Sequence, residues 1–173
     1  MAKLEMFFDY ACPYCKEGYE VLEGLLKEEP GLAPGLEIEW LAGEAHPRPE
    51  KWERYSDLCA MGMYIARDQG VDYDVFHKAM YEAAITNKGS VNIEDADSLT
   101  EAVAHVLPDK GAFAKALREA KYAERVVQNN SVCWGELGFE AVPSFRMGKA
   151  TLSAVWHVGI TKEGLAAFIK ENA

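Results

Sequence analysis

The sequence predicts an α/β fold whose core is interrupted by a block of helices. Three observations predict it. The first forty or so residues read strand, helix, strand. About 90 residues of helical periodicity with little strand signal follow, and strand signals return only after Pro143. The element order is therefore βαβ, helical block, ββα. Residues 1–43 and 139–173 are expected to share one sheet with helices on both faces, with 44–138 as an inserted helical sub-domain.

Each element has a local reason. Leu4 to Tyr10 is short, aromatic and nearly continuously apolar, as a buried strand is. Cys12-Pro13 opens a helix, because proline suits the first helical position, where the missing N–H has no partner to lose. Tyr19, Leu22, Leu25 and Leu26 then recur at helical spacing until Glu29-Pro30-Gly31. Leu36, Ile38 and Trp40 alternate with Glu37 and Glu39, giving a half-buried strand parallel to the first. Gly43 to Pro49 is a proline-rich loop.

In the helical block, Trp52, Tyr55, Leu58, Cys59 and Tyr64 fit one helix face, and Val75, Phe76, Ala79, Met80 and Ala83 another. Asp95 to Leu107 is a third helix, ended by Pro108. Phe113, Leu117, Ala120, Ala123 and Val127 mark a long fourth. Ser144–Met147 and Thr151–His157, joined by Gly148-Lys149, make an antiparallel hairpin. Thr161 caps a last helix bearing the stripe Leu165, Phe168, Ile169.

Composition narrows the function. The 173 residues are 49% hydrophobic and carry a net charge of −10. Such a chain can build a core, and it repels phosphate backbones and anionic headgroups, so nucleic acid and membrane surfaces are not expected as partners. No apolar run is long enough to span a bilayer. Glu5 and Asp9 interrupt any signal-like apolar stretch at the start, so a cytoplasmic location is expected.

Cys12-Pro13-Tyr14-Cys15 carries the chemistry. Two cysteines at this spacing on a helix start are close enough to form a disulfide, and their places make them unequal. Cys12 lies at the first turn, where orphan N–H groups and the positive end of the dipole stabilise a thiolate. Cys15, one turn deeper, can attack the mixed disulfide that Cys12 forms with a substrate. A zinc site would need a second close ligand pair, whereas Cys59 and Cys133 stand alone, so no metal is expected. A purely structural disulfide would not stay oxidised in the cytoplasm.

The stretch Phe7-Phe8-Asp9-Tyr10-Ala11-Cys12-Pro13-Tyr14-Cys15-Lys16-Glu17-Gly18 resembles the opening of the DsbA-like branch of the thioredoxin superfamily, and is most similar to its FrnE-type members. Glu44-Ala45-His46-Pro47 and Ala141-Val142-Pro143-Ser144-Phe145 fit the same pattern. The resemblance implies a thioredoxin-like fold with an inserted helical sub-domain and a protein disulfide oxidoreductase. It implies that Val142-Pro143 is a cis-proline loop beside the cysteines, with the Val142 backbone pairing with substrate main chain. Pro13, Tyr14, Val142 and Pro143 are thus the expected substrate-binding residues, and Cys12 and Cys15 the catalytic ones. The cofactor is the dithiol itself; the partners are protein or peptide thiols and disulfides, with glutathione a candidate co-substrate. Two rival readings share the fold: a glutathione-dependent isomerase or transferase, whose relatives commonly have Ser where Cys12 stands, and a redox-sensing chaperone that grips peptides.

Two departures qualify the likeness. Tyr14 stands where strong oxidases of the family often carry His, so a less oxidising site is expected. A buried acid often lies beneath the second cysteine in this fold, but Met6 occupies a position where an acid would be expected. Glu5 and Asp9, the nearest carboxylates, are expected to be solvated or capping. Cys59 and Cys133 read as buried small hydrophobes. His46 reads as a solvated loop histidine that could alternatively polarise substrate; Tyr14, Trp40, Trp52 and Trp156 read as core, with the lining of an apolar groove as the alternative.

Overall fold

In the computed structural model, which describes residues 2–173, the near-continuous apolar run at the N-terminus becomes a strand covered on both faces. This is β1 (Lys3–Phe8), in which Leu4 to Phe8 are all buried. The first helix, α1 (Pro13–Glu28), buries Tyr19, Leu22 and Leu25 on one face. Each fully buried leucine there contributes about 1.5–3 kcal/mol. Strand β2 (Glu37–Ala42) pairs parallel with β1, Met6 opposite Trp40.

Strand β3 (Ser144–Met147) runs antiparallel to β1, with Met6 opposite Phe145. Strand β4 (Ala150–Ser153) returns antiparallel to β3. The sheet order is β2-β1-β3-β4, which leaves β4 on an edge. A carboxylate contact between β1 and β3 also holds this unit. Glu5, expected to be solvated or capping, is buried instead: it points from β1 to the guanidinium of Arg146 on β3, with Arg146 Nη2 donating at 2.7 Å. That guanidinium holds the Glu5 carboxyl below its ordinary range. The C-terminal helix, Lys162–Asn172, starts as expected: the Thr161 hydroxyl accepts from Gly164 N–H at 3.1 Å.

Two compact units divide the chain, residues 1–45 with 129–173 and residues 46–128. The sequence assigns 44–138 to the insertion, so residues 44–45 and 129–138 move to the core. The cause is a set of side-chain bonds that no periodicity records. Asn130 Nδ2 donates to the Glu44 carboxylate (2.6 Å), Glu44 N–H donates back to Asn130 Oδ1 (2.8 Å), and Trp134 Nε1 donates to the Glu44 carbonyl (2.9 Å).

The helical unit contains α2 (Asp57–Asp68), α3 (Tyr73–Tyr81), α4 (Ala96–Val103) and α5 (Lys110–Arg118), around a core that includes Phe76, Met80, Leu99 and Phe113. Helix α6 (Ala123–Asn130) leads the chain back to the first unit. Two expectations fail here. The first helix starts at Asp57, not near Trp52: Arg48–Pro49 is cis, and Trp52 is half exposed with its ring stacked on His46 at 3.4 Å. The long fourth helix is broken into α5 and α6 by Ala120 and Tyr122, both left-handed at φ 52° and 72°. The hairpin also differs: β4 stops at Ser153, and Val155, Trp156 and Val158 turn outward instead of continuing the strand.

Candidate active site

The site forms where β1 ends and α1 begins. The chain turns through Asp9-Tyr10-Ala11, with Cys12 N–H donating to the Asp9 carbonyl at 3.2 Å. Cys12 is the N-cap residue of α1 in an extended conformation, and Pro13 follows inside the first turn. The N–H groups of Cys15 and Lys16 both donate to the Cys12 carbonyl. Cys12 is therefore half-buried at the rim, whereas Cys15, a turn further on, has no exposed surface.

This asymmetry of place becomes an asymmetry of charge. The Cys15 thiol hydrogen-bonds to the Cys12 sulfur, and the backbone N–H groups of Cys15 and Tyr14 also point at it. Together they hold the Cys12 pKa below that of an ordinary thiol, against burial and the charge of Asp9. Burial first, and then Cys12 itself, push Cys15 well above the ordinary value, although the Asp9 N–H at 3.3 Å from its sulfur acts the other way. One sulfur is prepared to be a thiolate and the other to keep its proton.

Asp9 is buried, not solvated. Its carboxylate accepts from Ala11 N–H and from Ala45 N–H, each at 2.8 Å, and so ties the loop before Cys12 to the loop after β2. The capping half of the expectation holds; the second partner, 36 residues away, is new. Met6 is fully buried on β1.

Four other expected residues gather around the cysteine pair. The Val142–Pro143 peptide is cis, and the Val142 carbonyl lies 4.0 Å from Cys12 Sγ. Behind Val142, a Cβ built on Gly43 would lie 3.0 Å from Val142 Cγ1 and 3.1 Å from Cys133 Sγ. Cys133 is fully buried and its thiol is pushed up to about 12 by that burial. Cys59 is also fully buried. The Tyr14 ring lies against Gly159, where a Cβ would stand 3.2 Å from Tyr14 Cδ1. Cys12, Pro13 and Tyr14, which reach solvent, and Cys15, Val142 and Pro143, which are buried, thus form one cluster. His46 belongs to the helical unit, where its Nδ1 is 2.8 Å from Glu50 Oε1. Among the described residues, no group of three or more His, Cys, Asp and Glu side chains could hold a metal ion.

Gly18 was not singled out by the sequence reading, yet it sets how closely α1 approaches Pro143. A Cβ there would be 2.7 Å from Pro143 Cγ, and a proline ring has little freedom to yield. Gly18→Ala is expected to lose about 1–2 kcal/mol, because overpacking outweighs the gain in helix propensity, and to slow the reaction at Cys12. Gly24 lies in the same helix with nothing within 4 Å of its Cβ position. Gly24→Ala is expected to gain up to about 1 kcal/mol with unchanged reactivity. Urea denaturation of the two variants checks the opposite signs.

Comparison with known proteins agrees with this architecture. A curated relative, the uncharacterized protein YwbO of Bacillus subtilis, is 22% identical over 184 residues, covering 86% of this chain and 88% of that protein. The fold is similar to that of the probable DsbA oxidoreductase of Streptomyces coelicolor, with a TM-score of 0.79 at 16% identity over 99% of this chain and 90% of the other. It is also similar to BdbD of Bacillus subtilis (TM-score 0.71, 14% identity, 99% and 86% covered) and to DsbA of Xylella fastidiosa (0.69, 20%, 96% and 81%). A family model described as Thioredoxin matches residues 2–171. Spanning nearly its whole length, that match shows that the chain belongs to the thioredoxin family, with the fold of the DsbA-type proteins.

Proposed function

We propose that this protein is a thiol–disulfide oxidoreductase of the DsbA type, acting on protein or peptide thiols and disulfides through Cys12 and Cys15. The observation that carries the reading is the unequal sulfur pair: a half-buried Cys12 with a lowered pKa facing the Val142 carbonyl, backed by a buried Cys15 with a raised one. The names of the structurally similar DsbA proteins support it.

In the reducing direction, the Cys12 thiolate attacks one sulfur of a substrate disulfide. A Cys12–substrate S–S bond forms, the substrate's own S–S bond breaks, and the second substrate sulfur leaves as a thiolate that takes up a proton. Cys15, after giving up its proton to that thiolate or to water, attacks Cys12 Sγ. The Cys12–Cys15 disulfide forms and the first substrate sulfur is released, so two electrons have passed to the substrate. The reverse sequence oxidises a substrate dithiol. Direction follows the reduction potential, where about 30 mV corresponds to roughly 1.4 kcal/mol. Tyr14 brings no positive charge to the Cys12 thiolate, which favours a milder oxidant than a site with His there. The dithiol serves as its own cofactor, and glutathione is a fitting co-substrate to reset it.

The test is a trapping experiment. Cys15→Ser, offered a disulfide-bonded peptide, is expected to accumulate a mixed disulfide at Cys12, seen as a mass increase; Cys12→Ser should accumulate none. Iodoacetamide at neutral pH should label Cys12 faster than a free cysteine peptide and Cys15 last. Equal labelling of the two sulfurs, or no trapped adduct, would overturn the proposal.

A further inference from the structure

Three consecutive backbone N–H groups follow β2, and each is held at a different place. Gly43 donates to the Phe8 carbonyl, Glu44 to Asn130 Oδ1 and Ala45 to the Asp9 carboxylate, all at 2.8 Å. The Glu44 carbonyl also accepts from Trp134 Nε1 at 2.9 Å, and its carboxylate from Asn130 Nδ2 at 2.6 Å. A segment bound at every residue cannot shift without leaving polar groups unpaired, which is costly.

On this fixed segment Gly43 marks a close approach. A Cβ there would lie 3.0 Å from Val142 Cγ1, 3.1 Å from Cys133 Sγ and 3.3 Å from Phe7 Cβ. Phe7 is fully buried and paired on both sides, opposite Leu41 on β2 and Ser144 on β3, so the sheet fixes it. Val142 and Cys133 are the neighbours left to adjust. Cys133 stands in a π-helical turn, Ser131–Glu136, which Trp134 and the preceding Asn130 dock on Glu44. Such turns are rare and recur at functional sites. The Cys133 sulfur has no exposed surface, so it acts here by its volume and not by its reactivity.

The spacing reaches the chemistry through Val142, whose carbonyl lies 4.0 Å from Cys12 Sγ. One residue on, Pro143 is held as closely. A Cβ on Gly18 would stand 2.7 Å from its Cγ, and its carbonyl accepts from Ala154 N–H at 3.0 Å. Val142-Pro143 therefore sits in two glycine notches, one on α1 and one after β2. We infer that Gly43 and Cys133 are positioning residues, which together fix where the Val142 carbonyl stands beside the attacking sulfur. The inference rests on the oxidoreductase reading and deepens it. A thiol can donate its S–H to that carbonyl, whereas a thiolate meets only the negative end of the C=O dipole, so the ionisation of Cys12 depends on the distance between them. Rate depends on it too, since a misplacement of about 1 Å can cost about a hundredfold.

The experiment uses volume changes of opposite sign in the full-length protein. Gly43→Ala crowds the seat of Val142 and Cys133→Ala slackens it, while the double variant adds a methyl beside the space the sulfur vacates. Gly24→Ala, with nothing within 4 Å of its Cβ, is the control. Iodoacetamide labelling across pH gives the midpoint of Cys12, and a disulfide-bonded peptide gives the exchange rate at neutral pH. Cys15 and Asp9 are the titratable groups that act on Cys12, and every variant retains both. The two single variants are expected to move the midpoint in opposite directions, by about half a pH unit, and each to slow exchange about fivefold. The double variant should return to within twofold of the wild-type rate, and the control should match the wild type. If Gly43→Ala does not fold, Cys133→Val supplies the crowding in its place. Single variants that lose stability to denaturant but keep the wild-type midpoint and rate would reduce Gly43 and Cys133 to packing and overturn the inference. A double variant no better than the worse single would overturn it as well. Either result leaves the oxidoreductase reading intact, whereas a wild type that exchanges with no disulfide removes that reading and the inference together.

Discussion

Replacing Asp9 with alanine is expected to destabilise the reduced protein by about 3–5 kcal/mol. Its two oxygens each accept a backbone N–H at 2.8 Å, from Ala11 and from Ala45, and the side chain is buried. Hydrogen bonds to a carboxylate are each worth about 1.5–3 kcal/mol, and alanine would leave both donors without an acceptor. Asp9→Asn keeps one accepting oxygen and turns an NH₂ group toward the other donor, so a loss of about half that size or more is expected. The asparagine variant has a second, separable effect. The charge of Asp9 raises both thiol pKa values, so its removal should lower that of Cys12 further. Denaturant unfolding measures the first effect and the pH midpoint of Cys12 alkylation the second. A loss below about 1 kcal/mol in Asp9→Ala would mean that water replaces the carboxylate and that the clamp is unimportant.

Acidification is expected to remove a comparable amount of stability through His77. Its ring is fully buried in the helical unit, near Tyr73 and Tyr81, and burial lowers its pKa to about 3 from the ordinary 6.5, Asp74 opposing. In the unfolded chain the imidazole takes up a proton as pH falls below 6.5, whereas in the folded protein it does not. Its stabilising contribution is therefore complete above pH 6.5 and is lost progressively down to about pH 3. The slope is at most about 1.4 kcal/mol per pH unit, for a total on the order of 4–5 kcal/mol. His77→Leu, similar in volume and without a titrating group, should flatten the unfolding free energy between pH 6.5 and 4.5. A variant with the wild-type slope would shift the acid sensitivity to the carboxylates held low in the folded state, Glu5 and Asp68.

Where the sequence reading went astray, a distant partner overrode a local pattern. Phe113, Leu117 and Ala120 continue one helical stripe, but Asp68 accepts from Lys121 Nζ at 2.7 Å and from the Tyr122 hydroxyl at 2.8 Å. The break between α5 and α6 forms at that anchor. Trp52 fits a helix face by spacing, yet stacks on His46 six residues earlier, so it lies before the helix rather than in it. Trp156 falls within the strand expected at Thr151–His157 and reads as core, but the Val155–Gly159 turn removes it from the sheet. Asp9 is half legible: its bond to Ala11, two residues on, is the habit of an aspartate at a turn. Nothing near it in the sequence announces Ala45.

The sequence alone determined the unequal dithiol. A strand end, a proline in the first turn and two cysteines one turn apart lie within a dozen residues, and the capping geometry and dipole that separate the two sulfurs act over that same range. Tertiary structure decided what stands opposite them. Val142 meets Cys12 across 130 residues and Gly18 meets Pro143 because β3 pairs beside β1, and Asp9 meets Ala45 because β2 pairs in parallel along the other side of β1. Contacts of that separation depend on which strand pairs with which, a choice made by the packing of the whole core and not by any stretch of residues within it.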